Sequence, residues 1–381
     1  MFNVPKLRFG EFEGEWVEKP IENILKIGSG KDYKHLEKGV IPVYGTGGYM
    51  TSVNNYLYDG ESVCIGRKGT IDKPRFVNGK FWTVDTLFFT HSWNNSVPKF
   101  VYSLFQKVNW KKYNEASGVP SLSKKTIEKI KINIPSLEEQ KKIATFLTSI
   151  DKKIEQLNQK STLLESYKKG VMQKIFSQEI RFKRDDGGVF EDWVEKRLGK
   201  ISTLTSSKRV YLSDYVKIGV PFYRGKEISE LKLGIIPKDI LYISEERYEE
   251  YKLKYGVPMV NDLLITAVGT LCNVLKITDN KPFYFKDGNL IWIKNIEENS
   301  SFLEILLHIY KRDIEKTSIG STQRALTMVE LRKIKLPFPQ LEEQQKISNF
   351  LTSIDQKITQ NNQALEEMKA FKKGLLQQMF V

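Results

Sequence analysis

The chain is poor in cysteine and histidine and has no long apolar run. Its 381 residues include 2 cysteines and 3 histidines. Cys64 and Cys272 stand more than 200 positions apart in apolar stretches, so buried strand thiols are expected rather than a disulfide or metal ligands, which suits a reducing cytoplasm. His35, His91 and His308 show no metal spacing, and His308 falls in a helical apolar pattern where a core or surface role is expected. No apolar run approaches the roughly 18 residues of a membrane span. Met1, Phe2 and Asn3 open no basic-then-apolar leader, so a soluble, cytoplasmic chain without a membrane partner is expected. No Pro-Pro pair occurs, which removes the Asn/Asp-Pro-Pro-Tyr/Phe motif that an adenine methyltransferase places at its target base. Gly28-Ser29-Gly30-Lys31 has the outline of a phosphate loop, but Leu25 stands where the first glycine belongs and Asp32 where Ser or Thr belongs.

What is present is length, apolar content and positive charge. The length suits two or three domains, with two as the starting count, and a hydrophobic fraction of 40% can fill their cores. A net charge of +14 points to a polyanionic partner, because clustered Lys and Arg release counterions from a phosphate backbone. Charge alone does not decide this, since many Lys-rich surfaces have no such role.

An internal repeat organises the chain. Residues 130–176 match 334–380 without a gap, with 25 identities in 47 positions. The shared block reads Leu137-Glu138-Glu139-Gln140, Phe146 to Asp151 and Lys168-Lys169-Gly170, then Leu341-Glu342-Glu343-Gln344, Phe350 to Asp355 and Lys372-Lys373-Gly374. A shorter match links Leu7-Arg8-Phe9 and Trp16-Val17-Glu18-Lys19 to Ile180-Arg181-Phe182 and Trp193-Val194-Glu195-Lys196. Trp16 recurs 177 positions on and Ile130 recurs 204 positions on, so the second middle region is longer by the difference, 27 residues. Alike ends with unlike middles imply a common scaffold carrying two different readers.

The shared block predicts a long helix, with proline before it and an acidic pair suited to the positive end of the helix dipole. Ile143, Leu147, Ile150, Ile154, Leu157, Ser161, Leu164, Lys168, Val171 and Ile175 step by four and three. The second copy runs Ile347, Leu351, Ile354, Ile358, Asn361, Leu365, Met368, Lys372, Leu375 and Met379. A seam sustained over four to five heptads is a coiled-coil pattern, with polar Asn361, Lys168 and Lys372 setting register or meeting a partner helix. Two helices packed separately on their own domains is the plainer alternative. If the helices pair along their length, the connectivity makes them antiparallel. At about 1.5 Å per residue, some 40 residues would then hold the readers about 60 Å apart in a pseudo-twofold arrangement.

The expected fold is therefore two mixed α/β recognition domains, residues 1–136 and 179–340, separated by a pair of long antiparallel coiled-coil helices, residues 137–178 and 341–381. Ile41 to Tyr44, Ser62 to Ile65 and Phe81 to Thr90 read as strands, and Val97 to Lys112 and Ser301 to Lys316 as helices. The extra length of the second domain falls around residues 229–258. Three loops in each domain carry residues suited to DNA contact. In the first they hold Tyr44 and Thr46, Arg67, Lys68 and Thr70, and Ser117 and Ser121. In the second they hold Tyr223, Arg224 and Lys226, Thr266 and Thr270, and Thr322, Gln323 and Arg324. Glycines in these loops let backbone N–H groups approach phosphates, while Arg and Gln can bond base edges in pairs. Taken singly, a Gly-rich turn with one basic residue is usually a solvated turn.

The block Leu137 to Ile143 and its copy, with Ile-Pro or Phe-Pro before and Phe-Leu-Thr-Ser-Ile-Asp after, resembles the paired conserved regions of type I restriction-modification specificity subunits. The opening Pro5 to Trp16 and the stretch Ile65-Gly66-Arg67-Lys68-Gly69-Thr70 are similar to the same family, so the resemblance spans the chain. It implies two target-recognition domains, each reading one half of an asymmetric bipartite site on double-stranded DNA, and helices that set the gap and dock methyltransferase subunits. It further implies a non-catalytic chain that binds no cofactor itself. Two modification subunits would bring S-adenosylmethionine, and two restriction subunits would bring ATP and Mg. A stand-alone DNA methyltransferase or nuclease is the alternative, but its motifs are missing. A basic coiled-coil adaptor would explain the helices and not the two unlike domains. The helix reading predicts that four residues added to one helix, about 6 Å, lengthen the DNA gap tolerated in methylation mapping; an unchanged gap would reject the spacer.

Overall fold

The computed structural model describes residues 4–320 and 324–381. Its chain folds into two units, Met1–Glu165 with Ile358–Val381, and Ser166–Lys357. The boundary crosses both long helices: Leu137–Phe176 gives residues 166–176 to the second unit, and Leu341–Gln378 gives residues 358–378 to the first.

The first unit holds two four-stranded sheets and a ribbon. One sheet runs Lys26–Ser29, Leu87–His91, Ser62–Gly66, Arg75–Val77, with every neighbour antiparallel. Its Ser62–Gly66 strand is buried at all positions, as a short apolar run predicts for a central strand. The other sheet runs Gly48–Val53, Lys38–Gly45, Lys80–Thr83, Tyr58–Asp59, and Lys38–Gly45 lies parallel to Lys80–Thr83. The ribbon pairs Val17–Pro20 with Lys131–Ile134. The second unit repeats the first of these sheets and the ribbon strand for strand, while its other sheet keeps the parallel pair but carries its fourth strand on the opposite edge. There Tyr215–Val216 lies beside Leu241–Ile243, where the first unit has Tyr58–Asp59 beside Lys80–Thr83. The second unit's sheets are Thr203–Thr205, Leu290–Lys294, Leu263–Thr266, Val274–Lys276, and Tyr215–Val216, Leu241–Ile243, Val220–Tyr223, Tyr284–Phe285. Val220–Tyr223 again lies parallel to Tyr284–Phe285, and the ribbon pairs Val194–Arg197 with Lys335–Phe338. The expected insertion is built from the end of helix Gly225–Lys232, the strand Leu241–Ile243 and the helix Glu245–Tyr255.

Three elements differ from expectation. The run Phe81 to Thr90 is two strands, Lys80–Thr83 and Leu87–His91, in different sheets. The helix expected at 97–112 ends at Phe105, because the chain turns back and the buried Trp110 indole donates to the Phe105 carbonyl oxygen at 2.8 Å. The helix expected at 301–316 breaks at Tyr310 into Ser300–Ile309 and Lys311–Lys316.

The recurring sequence block has a recurring job. In the first unit Arg8 donates Nε to Glu139 Oε1 at 2.8 Å and Nη2 to Oε2 at 2.7 Å, and the Trp16 indole donates to Oε1 at 3.3 Å. In the second, Arg181 donates Nε to Glu343 Oε1 at 3.2 Å and Nη2 to Oε2 at 2.8 Å. Glu139 and Glu343 are fully buried, so the acidic pair expected to serve the helix dipole divides: Glu138 and Glu342 face solvent, while Glu139 and Glu343 anchor the arginine of the opening segment. The neighbouring glutamines are buried as well. Gln140 donates to the Pro135 and Asn95 carbonyl oxygens and accepts from the Val97 N–H; Gln344 donates to the Pro339 carbonyl oxygen and Glu298 and accepts from the Asn299 N–H. Leu-Glu-Glu-Gln thus fastens the opening segment and the loops of each unit to the first turn of a long helix.

Within each unit the long helices pack antiparallel. In the first unit Asn361 Nδ2 donates to the Leu157 carbonyl oxygen at 2.9 Å, Ser161 donates to Asn362 at 2.7 Å, and Lys372 meets Asp151 at 2.6 Å. In the second, Lys168 meets Asp355 at 2.5 Å. The Lys of Lys-Lys-Gly therefore pairs with the Asp of Ser-Ile-Asp both times. Along the expected seam, Ile143, Leu147, Ile150, Leu157, Ile347, Leu351, Ile354 and Leu365 are buried, and Ile154, Leu164, Ile358 and Met368 are half-buried. Each helix end plugs into an aromatic core. Phe380 packs on Trp16 and Phe100 with centroids at 6.0 and 5.4 Å, and Phe176 packs on Trp193 and Phe302, both at 5.8 Å. Cys64 and Cys272 are buried and unpaired, and burial pushes each thiol up to about 12. Among the described residues, no helix is long and apolar enough to cross a membrane.

Replacing Glu139 by Ala leaves the half-enclosed Arg8 guanidinium with the Glu13 and Gly14 carbonyl oxygens but no counter-charge, and urea unfolding of the full chain is expected to show a loss of about 3 kcal/mol. The double replacement Arg8→Met, Glu139→Leu should recover most of it; an equal deficit in both variants would show that the ion pair is not the source.

Candidate nucleic-acid interface

Two of the three expected loops in the first unit are paired directly through their backbones. Lys68 bridges Ser121, the Gly69 N–H donates to the Pro120 carbonyl oxygen at 2.8 Å, and the Leu122 N–H donates to the Arg67 carbonyl oxygen at 2.9 Å. The Arg67 N–H donates in turn to the Thr86 carbonyl oxygen at 2.8 Å. The third loop closes on the same place, for a Cβ built on Gly69 would stand 3.7 Å from the Thr46 hydroxyl. Gly69 has φ +90°, a conformation that demands glycine. Asn114 braces the 117–121 loop by accepting from the Ser121 N–H at 2.8 Å.

The second unit repeats this network with other side chains. Val268 bridges Ala325, the Leu326 N–H donates to the Ala267 carbonyl oxygen at 2.8 Å, and the Ala267 N–H donates to the Asn289 carbonyl oxygen at 2.8 Å. Gly269 has φ +79°, and a Cβ on Gly225 would stand 3.7 Å from the Thr266 methyl. Ala267 therefore occupies the place of Arg67, and Val268 that of Lys68.

The structure sorts the expected contact residues. Arg67, Lys68, Ser117, Lys226, Thr270 and Arg324 are exposed, while Thr46, Thr70 and Ser121 are half-buried at the loop junction. Tyr44 and Tyr223 face inward: Tyr44 packs edge-on to Tyr49 beneath the Arg75 guanidinium, and Tyr223 stacks on Phe283 at 5.1 Å. Thr266 is buried, and its hydroxyl donates to the Thr270 carbonyl oxygen at 2.5 Å and accepts from the Asn273 N–H at 2.9 Å, so it shapes the loop from within. Arg224 is committed to buried Glu227, where Nη2 to Oε1 is 2.5 Å. Burial works against the Glu227 carboxylate, but this guanidinium and the Arg224 N–H hold it below the usual carboxylate range. Arg324 donates to the Glu315 carbonyl oxygen at 2.7 Å. Thr322 and Gln323 lie outside the described residues.

Beside each loop junction lies a groove that the sequence did not reveal. In the first unit Ser29, Phe88, Ser123, Lys124 and Glu115 line it with Arg67 and Lys68, the Glu115 carboxylate accepting from the Ser123 N–H and the Thr126 hydroxyl; in the second Ser206, Asp287, Ile291, Thr327 and Met328 take part. Ser29 and Ser206 are separated by the 177-residue offset of the repeat, and Ser123 and Thr327 by the 204-residue offset, but isolated serines carry no signal without the sheet that gathers them. Ser123 and Thr327 also cap short helices, accepting from the Thr126 and Glu330 N–H groups at 3.1 and 3.2 Å. Among the described residues, no group of three or more His, Cys, Asp or Glu side chains is arranged to hold a metal ion.

The sequence profile described as the type I restriction modification DNA specificity domain matches residues 13–166 and again 190–370. The chain belongs to this DNA specificity family. Among relatives of this specificity chain, the type I restriction enzyme MjaVIII specificity subunit of Methanocaldococcus jannaschii is 29% identical over 338 residues, covering 84% of this chain and 76% of that protein. Solved structures share its fold. The type I restriction-modification S subunit from M. genitalium matches with a TM-score of 0.69 at 16% identity, over 99% of each chain. A chain solved in a study of complex assembly and conformational transition of the type I R-M system matches at 0.52 and 16% identity, over 95% of each chain.

Gly69→Ala forces a side chain onto φ +90° and is expected to cost about 1 kcal/mol in urea unfolding. Gly118→Ala in the facing loop, where a Cβ meets nothing within 4 Å, should be neutral. Equal stability of the two variants would mean that the 67–70 turn does not require its left-handed residue.

Proposed function

We propose that this specificity-family chain reads DNA sequence for a type I restriction-modification assembly, with each unit's three-loop junction and groove taking one half of a bipartite site. The observation that carries this reading is the same backbone network built twice, Lys68 to Ser121 and Val268 to Ala325, under unlike side chains. A fixed frame with exchangeable side chains is what sequence readout requires, because phosphate contacts position a protein and side chains at base edges specify. The exposed residues Arg67, Lys68, Ser117, Lys226, Thr270 and Arg324 are the candidates for contact, while Thr266 and Arg224 hold loops in shape.

The long helices set the unspecified gap between half-sites and offer the faces on which two methyltransferase subunits dock, with two restriction subunits completing the nuclease. In this reading the chain supplies no catalytic group and binds no cofactor. S-adenosylmethionine belongs to the modification subunits, and ATP with Mg to the restriction subunits. The chain works in the cytoplasm, where the DNA and those partners are.

Exchanging residues 197–325 for the matching region of a related chain should change one half of the methylated sequence and leave the other half intact, read by methylation mapping of the complex in cells. Changes at both halves would reject the modular reading.

A further inference from the structure

The two grooves share a frame and differ in chemistry at equivalent places. The backbone bonds set Arg67 opposite Ala267 and Lys68 opposite Val268. The short helices capped by Ser123 and Thr327 then begin with Lys124 in the first unit and Met328 in the second. At three matched positions a cation in one unit is an apolar residue in the other.

The surroundings reinforce the contrast. Arg67 has a long hydrogen bond to the Asp85 carbonyl oxygen at 3.4 Å and lies over the Phe88 ring at 5.9 Å, and among the described residues neither it nor Lys68 forms an ion pair. Lys124 has only Glu128, 3.7 Å away on its own helix. In the second unit Arg209 is paired with Asp287 at 2.9 Å beside the groove and Arg224 with buried Glu227, while exposed Lys226 is shared between Glu230 at 3.8 Å and Asp239 at 4.0 Å and exposed Arg324 donates to the Glu315 carbonyl oxygen. Free cations bind phosphates and guanine acceptors, and they do so by releasing counterions. Met328 lines the second groove and Val268 stands at the loop junction beside it; neither offers a hydrogen bond to a base, but both complement the one apolar group in the major groove, the thymine methyl.

We propose that the two units divide recognition unequally: the first grips its half-site by charge and carries most of the salt dependence, and the second reads thymine methyl groups through Val268 and Met328. This rests on the DNA-specificity reading above and adds the base chemistry of each half.

The test uses the full chain in complex with its modification subunits, bound to a duplex carrying the methylation-mapped site, across a salt series. The variant Arg67→Ala, Lys68→Val, Lys124→Met takes exposed side chains to those of the other unit and should flatten the log–log salt slope by about 2 to 3, at roughly 0.9 for each phosphate no longer neutralised. The reciprocal variant Val268→Lys, Met328→Lys should steepen it by about 2. Deoxyuridine in place of thymidine removes the methyl alone. In the second half-site it should weaken wild-type binding about four-fold per buried methyl, the effect of burying one such group, and in the first half-site it should leave binding unchanged. A slope change below about 0.5 in both variants, or equal losses from deoxyuridine in both halves, overturns the division while the specificity reading stands. A wild-type complex that shows no preference for the mapped site sinks both.

Discussion

Two carboxylates taken out of water, Glu139 and Glu343, set the terms for everything around them. A buried carboxylate is costly unless it is paired and its oxygens are hydrogen-bonded, and an arginine fork meets that need in one geometry. Each glutamate sits in the first turn of a long helix and draws in an arginine from the segment that opens the same unit. The adjacent glutamine ties that turn to the loop before the next helix of the domain. Two neighbouring side chains thereby fix the recognition domain's attitude on its helix, and the loop junction inherits its position from them. The repeated units are not identical even here: the Trp16 indole shares in the ion pair, whereas the equivalent indole N–H of Trp193 is buried with no hydrogen-bond partner among the described residues.

The loop junction shows how one frame serves two surfaces. Its bonds are backbone N–H to backbone carbonyl, so they depend little on which side chains ride on them, apart from the glycines at φ +90° and +79°. Arginine can give way to alanine and lysine to valine without loosening the loops. Side chains that do hold the frame, such as Thr266 and Asn114, have turned their polar groups inward.

Much of this was legible in the sequence, for reasons of periodicity. The repeat, the four-and-three spacing of the seam and the three loops per domain all leave local patterns, and the residues 229–258 insertion follows from counting. Pairings across long sequence separations leave none. Nothing near Glu139 announces that its partner lies 131 positions earlier, so the glutamate looked like a helix-dipole residue. That Thr266 is buried and Arg224 paired with Glu227 was not legible either, because a loop's composition does not tell which side chains face in. The helix expected at 97–112 failed at Phe105 because Trp110 prefers a buried place with its indole bonded back, a tertiary preference that the apolar spacing conceals.

The second unit, Ser166–Lys357, is one uninterrupted stretch of chain, whereas the first needs Ile358–Val381 to close its core around Trp16, Phe100 and Phe380. On the ribosome, which makes chain from the N-terminus, the domain synthesised first is therefore the one completed last. Until the distal helix emerges, the apolar surface around Trp16 and Phe100 stays open to water and to other chains, a window in which chaperone protection matters most.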